Sequence, residues 1–133
     1  MNFKDFYLKE DGELSVGIVI FNGDKVLILK RGDSAPWEPG KWSLAGGMVE
    51  DDEKLINAVL RELYEETKIK PDNVVYMAEY DNWHVFTVHT DYRQTDLEME
   101  KQQLDWITID LLDDYDFVPY AKEAILRAFS ERI

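Results

Sequence analysis

Residues 46–69 read GGMVEDDEKLINAVLRELYEETKI, and this segment contains the pattern that decides the fold. Two glycines open it. Apolar residues then recur at intervals of three and four between positions 53 and 67, and this spacing predicts an amphipathic helix. The predicted apolar face consists of Leu55, Ile56, Val59, Leu60 and Leu63.

Three glutamates lie beside that apolar face. At about 100° per residue, the apolar positions cover an arc of roughly 140°, and Glu62, Glu65 and Glu66 fall in a neighbouring arc about 100° wide. Like charges one helical turn apart repel each other. The arrangement therefore favours a compensating divalent cation with oxygen ligands. The alternative is an ordinary acidic helix face exposed to solvent.

The paired glycines, Gly46 and Gly47, follow a strand-like run at positions 41–44. Glycine allows the backbone to turn sharply and to come close to a ligand, which leaves a carbonyl oxygen accessible. We therefore expect a loop, followed by a helix that bears carboxylates. Together these elements predict a platform for a metal ion.

The spacing of these residues resembles the Nudix box, GX5EX7REUXEEXGU, in which U is aliphatic. The matching segment spans positions 47–69. Two positions depart from the family pattern, one inside this segment and one just before it. Lys68 stands in place of the last glycine, so the helix must end without a left-handed residue there or with a strained lysine. Ala45 stands where many members have proline. The matching residues are Gly47, Glu53, Arg61, Glu62, Leu63, Glu65, Glu66 and Ile69.

The resemblance implies an α/β fold, an α/β/α sandwich around a mixed β-sheet, in one domain over residues 1–133. It also implies Mg2+-dependent hydrolysis of a phosphoanhydride in a nucleoside diphosphate linked to another group, with Mn2+ as a possible substitute. By resemblance, Glu65 and Glu66 are direct metal ligands and the Gly46 carbonyl completes the inner shell. Glu62 is the general base or a ligand to a second ion. Arg61 pairs with Glu65 and holds its side chain in place.

Residues outside the box extend the expected site. By the same resemblance, a further acidic ligand is expected from the loop before the strand that contains Trp106, with Glu100 preferred over Glu98; the alternative is that both are simply solvated. Arg31, at the end of a predicted strand, matches the basic residue that MutT-like proteins use to bind substrate phosphates, together with Gly46 and Gly47. An alternative for Arg31 is a solvent-exposed position at a strand end.

The substrate is less narrowly defined. Residues 117–121 lack the asparagine by which MutT-type proteins recognise an oxidised purine, and marker residues of the ADP-ribose and diadenosine polyphosphate groups are missing. A nucleoside triphosphate or a nucleotide sugar is the favoured substrate. The alternatives are a dinucleoside polyphosphate or ADP-ribose hydrolase, and a domain that binds a nucleotide without hydrolysing it.

Composition restricts the class of protein. The chain has 133 residues, no cysteine and a formal net charge of -13. Absence of cysteine excludes disulfides and thiolate metal sites. The acidic balance argues against binding of a nucleic acid polymer. No segment resembles a membrane span or a signal peptide, so we expect a cytoplasmic protein that does not bind membranes, as a monomer or homodimer.

The remaining elements follow from turn and periodicity signals. Strands are expected at 14–21 and 24–31 around an Asn22-Gly23 turn, and at 74–80 and 83–90 around Asp81-Asn82. Residues 32–40 are expected to form an exposed loop and 91–103 another. A strand is expected at 104–109, and a packed helix at 120–133.

Overall fold

The computed structural model describes residues 14–71, 73–91 and 103–132. Along the described residues, four strands precede the first helix, and three more strands are followed by a 3-10 helix and a second α-helix. They are β1 (Ser15–Asn22), β2 (Lys25–Lys30), β3 (Trp42–Ser43), β4 (Ala45–Met48), α1 (Leu55–Thr67), β5 (Val74–Tyr80), β6 (Trp83–His89), β7 (Gln103–Ile107), a 3-10 helix (Ile109–Asp114) and α2 (Ala121–Glu131).

The strands form one mixed sheet with the order β3-β2-β1-β6-β5. β1 and β6 are parallel along their length, whereas the other pairs are antiparallel. β1 and β2 pair at their hairpin end and then separate. The first half of β1 pairs with β4 instead, and the end of β2 pairs with β3. This separation brings Gly46 opposite Gly17 and Gly47 opposite Val16.

The two faces of the sheet are covered by different helices. Along β1, Val16, Ile18 and Ile20 pack on the α1 side, whereas Val19 and Phe21 pack on the α2 side. This alternation is the two-residue period of a strand buried on both faces. The expected sandwich around a mixed sheet is therefore confirmed. None of the helices within the described ranges is both long and apolar enough to cross a membrane.

The first hairpin is confirmed, but its turn lies one residue later than expected. Asn22 pairs with Lys25, so the two turn residues are Gly23 and Asp24. Of these two turn residues, only Gly23 has a positive φ, 61°. Glycine at the first central position suits a turn of this kind, and it leaves Asn22 to extend the strand. At the second hairpin, Asp81 and Asn82 do form the turn, with φ of 51° and 66°.

The helix of the box begins at Leu55, and its buried face differs from the prediction. Ala58, Val59 and Leu63 are fully buried, whereas Ile56 and Leu60 are 38% and 41% exposed. The small side chain of Ala58 lets the helix approach the sheet closely. The helix therefore packs on the sheet with the side that also carries Glu62 and Glu66, and not with the centre of its widest apolar arc.

Two further expectations need correction. The glycine pair does not lie in a loop, because Gly46 and Gly47 belong to β4 and pair with β1. The segment 32–40 contains no strand or helix, but Trp37 within it is buried, so this loop is exposed only in part. The predicted last strand is observed as β7, and the terminal helix as α2, whose buried residues are Ala121, Ala124, Ile125 and Ala128.

Candidate active site

Glu66 lies in the contact between α1 and β4. Its Oε1 accepts a hydrogen bond of 3.0 Å from the backbone N–H of Gly46. Burial, together with the nearby charges of Glu62 and Glu65, raises the pKa of Glu66 to about 8, against the opposite effect of the Gly46 N–H. The ionised form of a carboxylate is destabilised in this setting, so a cation bound beside it would be favoured.

Glu62 lies next to Glu66 and over the second glycine. A Cβ atom added to Gly47 would overlap the carboxylate of Glu62, so only glycine leaves room for it there. Burial raises the pKa of Glu62, and the Arg61 guanidinium acts in the opposite direction. The two glycines of β4 therefore define the space in which the two half-buried carboxylates lie.

Arg61 connects the two ends of the box, through Glu53 and Glu62 as well as the predicted partner Glu65. Its Nε and Nη2 donate to the two carboxylate oxygens of Glu53, each at 2.9 Å. Nη1 donates to Glu62 at 2.8 Å, and Nη2 also donates to the Met48 carbonyl at 3.0 Å. Glu65 is 3.6 Å from Nη1. The expected pairing with Glu65 is present as an ion pair, but the hydrogen bonds go to Glu53 and Glu62, because a planar guanidinium binds a carboxylate best in the two-pronged geometry that Glu53 offers.

Glu53 is the functional residue whose role the sequence did not show. Hydrogen bonds from Arg61, and one from the Glu50 N–H, lower the pKa of Glu53 to about 2. The same contact raises the pKa of Arg61. Glu53 is one of the residues of the box pattern, and this membership was the signal in the sequence that could have identified it. Its part is to anchor the arginine that holds Glu62.

Glu65 points outward, with 57% of its side chain exposed. Among the residues that the structure describes, no group of three acidic, histidine or cysteine side chains is already arranged around a metal position. The donor set nevertheless suits a divalent ion. Glu62 and Glu66 offer carboxylate oxygens, the ligands that Mg2+ prefers, and their burial makes an added positive charge favourable.

Lys68 ends α1 in the left-handed conformation, with φ 62°. Its backbone N–H donates to the Tyr64 carbonyl at 2.9 Å, so the helix closes as it would with glycine. Of the two expected solutions, the structure adopts the strained lysine. The strain of such a residue is on the order of 1 kcal/mol and does not reach the glutamates.

Arg31 lies at the end of β2, away from the box. Its Nε donates to the Trp37 carbonyl at 2.7 Å, and its guanidinium lies 5.2 Å from the centre of the Trp37 ring. Together with Lys30 and Gln103 it borders a cavity of about 250 Å3. Arg31 is therefore half-buried and held, not free at a strand end. Lys30, which the sequence did not single out, adds a second cation. Glu98 and Glu100 lie outside the described residues.

The contact between Glu53 and Arg61 gives the fold a specific acid sensitivity. Because the folded pKa of Glu53 lies below its usual value of 4.5, this contact stabilises the fold above about pH 4.5 and is lost as the pH falls toward 2. We expect Glu53→Gln to lower the melting temperature at pH 7, and the difference from wild type to shrink by more than half at about pH 3. A difference that stays constant with pH would contradict this role. Glu123→Gln, an exposed site on α2, is the control.

The NUDIX domain family matches residues 12–128, and the chain therefore belongs to the Nudix family. The chain is 30% identical over 125 residues to the CTP pyrophosphohydrolase of Escherichia coli K12, a match that covers 86% of this chain and 88% of that protein. It is 43% identical over 70 residues to an RNA pyrophosphohydrolase of Aeromonas hydrophila. That match covers 52% of this chain and only 37% of the relative.

The fold is also found among solved structures. A MutT structure from a study of Aliivibrio salmonicida and Vibrio cholerae superposes with a TM-score of 0.73 at 25% identity. The match covers 90% of this chain and 98% of that one. The chain is thus a member of the Nudix family with relatives named pyrophosphohydrolases, and its fold is that of the MutT structure.

Proposed function

We propose that the protein is a Mg2+-dependent pyrophosphohydrolase that cleaves a phosphoanhydride bond of a small nucleoside triphosphate. The observation that carries this proposal is the half-buried pair Glu62 and Glu66, packed against the glycines of β4. Lys30 and Arg31 at the end of β2 support it, because these two cations outnumber the one carboxylate, Asp33, in the lining of the same cavity and suit a polyphosphate. A nucleotide sugar remains the second substrate class.

The similarity to the CTP pyrophosphohydrolase favours a nucleoside triphosphate, because that match extends over 88% of the relative. The similarity to RNA pyrophosphohydrolases has less weight, since it covers about two fifths of those proteins. A net charge of -13 also opposes the approach of a polynucleotide. Dinucleoside polyphosphate or ADP-ribose hydrolysis, and nucleotide binding without hydrolysis, are the alternatives to test.

Each residue has a distinct part in this proposal. Glu66, Glu65 and the Gly46 carbonyl would hold Mg2+, and Glu62 could join them. The ion, when bound, neutralises charge on the phosphate oxygens. Glu62 accepts the proton of the attacking water, for which its raised pKa is suited. Arg61, anchored by Glu53, keeps Glu62 in position. Arg31 and Lys30 bind the outer phosphates, and Glu100 is proposed as a further acidic group.

A panel of nucleotides with Mg2+ tests the activity. We expect a nucleoside monophosphate and pyrophosphate from a nucleoside triphosphate, with CTP among the better substrates. Nucleotide sugars, ADP-ribose, diadenosine tetraphosphate and RNA with a 5′-triphosphate complete the panel. Release of orthophosphate instead of pyrophosphate would contradict the proposed bond. Tight nucleotide binding without any turnover would favour the non-catalytic alternative.

Metal binding can be measured without activity. Because Glu62 and Glu66 are brought beside the Gly46 backbone only when α1 is docked on β4, a divalent ion held by all three groups binds the folded state and stabilises it by mass action. We expect millimolar Mg2+ or Mn2+ to raise the melting temperature at pH 8, chelator to reverse the shift, and Glu66→Gln to remove most of it. A melting temperature that responds equally in wild type and variant would exclude Glu66 as a ligand.

A further inference from the structure

The outward side of α1 carries a stripe of three large apolar residues, Ile56, Leu60 and Tyr64. They are 38%, 41% and 46% exposed. They follow each other at four-residue intervals, so the stripe runs for about 12 Å along the helix. Single exposed apolar side chains are common on protein surfaces, whereas these three lie in line on one helix and form one apolar patch.

This stripe lies away from the candidate active site. At about 100° per residue, Glu62 and Glu66 are roughly 120–160° around the helix from Leu60. A partner bound along the stripe would therefore leave the glutamates and β4 accessible. The surface needs an explanation other than substrate binding.

Opposite charges border the two ends of the stripe. The exposed residues before the helix are mainly acidic: Glu50, Asp51 and Asp52, with Lys54 as the one cation. Beyond its other end lie Lys68 and Lys70, both exposed. Their ammonium groups are 4.9 Å and 5.3 Å from the centre of the Tyr64 ring. Asp52 and Lys68 are equally far in sequence from Leu60.

We propose that this stripe binds the same stripe of a second copy of the chain, with the two α1 helices antiparallel around a twofold axis near Leu60. In this arrangement Ile56 of each copy meets Tyr64 of the other. The acidic segment of one copy then lies beside Lys68 and Lys70 of the other, and the two helix dipoles oppose each other favourably. A parallel pair would bring like charges together at both ends.

The size of the surface sets the expected affinity. An aromatic side chain buries about 150–250 Å2 when fully covered, so three side chains exposed by about two fifths offer on the order of 200–300 Å2. A standard stable interface uses about 800 Å2 per partner. The paired charges add contact area, but we expect a weak dimer whose population rises with concentration.

Sedimentation velocity between about 5 and 500 µM tests the proposal, because a weak interface assembles within such a range. We expect the weight-average mass of wild type to rise from monomer toward dimer, and Leu60→Glu to remain monomeric. Leu126→Glu is the matched control, since Leu126 is 42% exposed on α2. Leu60→Glu should keep the metal-dependent rise in melting temperature. A wild type that stays monomeric, or a control that loses association equally, overturns the proposal.

A charge exchange tests the antiparallel orientation. The double variants Asp51→Lys/Asp52→Lys and Lys68→Glu/Lys70→Glu should each associate at least about tenfold more weakly than wild type, because like charges then face each other. An equimolar mixture of the two should form a heterodimer. Failure of the mixture to associate, while wild type dimerises, overturns the antiparallel pairing. If wild type stays monomeric and Leu60→Glu destabilises it, a segment of the same chain covers the stripe instead.

Discussion

Glu66→Gln is expected to reduce the turnover number at least a hundredfold, while the protein keeps its fold. Glutamine has the volume of glutamate and can still accept the hydrogen bond from the Gly46 N–H, but it lacks the charge that a metal ligand provides. Loss of one ligand should cost several kcal/mol of transition-state stabilisation. The measurement is steady-state hydrolysis of the best nucleotide from the panel, at saturating Mg2+.

A second measurement separates this effect from damage to the fold. Because burial disfavours the ionised form of Glu66, the metal-free variant should be at least as stable as wild type at pH 8. Glu123→Gln, the same chemical change on the exposed surface of α2, should leave turnover unchanged and lower stability by less than about 1 kcal/mol, because Glu123 lies in the first turn of the helix. If Glu66→Gln keeps more than about a tenth of wild-type turnover, a direct ligand role for Glu66 is wrong.

Gly46→Ala is expected to have the largest effect on stability. Gly46 has a φ of 150°, which side chains rarely adopt, and an added Cβ would overlap the Val16 carbonyl on the paired strand. Because the atoms that this Cβ would meet belong to the backbone of Val16 and Gly17 in β1, they cannot move away without disturbing the pairing of β1 and β4. We expect a loss of about 3 kcal/mol or more in the free energy of unfolding, measured by urea denaturation.

Neighbouring glycines provide the comparison. At Gly32 an added Cβ meets nothing within 4 Å, so Gly32→Ala should be close to wild type in stability. At Gly47 the Cβ would meet the end of the Glu62 side chain, which can swing away. Gly47→Ala should therefore lower turnover much more than stability. Equal losses of stability at positions 46 and 47 would show that the clash with Val16 is not the cause.

Local sequence determined a large part of this fold. Alternation of buried faces along β1, the hairpin turns and the helical repeat each depend on residues close to one another in the chain. The spacing of Glu62 and Glu66 is of the same kind, since four residues along a helix place two side chains one turn apart on one side. The box pattern identified the family because its positions are local in the same way.

The contact between Glu53 and Arg61 could not be predicted from local sequence. They are separated by the start of α1, and their two-pronged contact depends on how residues 49–54 return the chain to the helix. Helical spacing made Glu65 the natural partner of Arg61, whereas the folded loop brings Glu53 to a better geometry. Lys30 is next to Arg31 in the sequence, but its position opposite Gln103 depends on pairing between β2 and β7.

The elements, the family and the carboxylates of the candidate site could be predicted from residue patterns and spacing. The buried side of α1 could not, because it depends on how closely Ala58 lets the helix approach the sheet. The strand formed by the glycines also depends on the fold, because they pair with β1 while the Gly46 N–H donates to Glu66 on α1. Burial of Glu66 and exposure of Leu60 follow from that docking, since helical periodicity orders the side chains around an axis but does not say where the sheet lies.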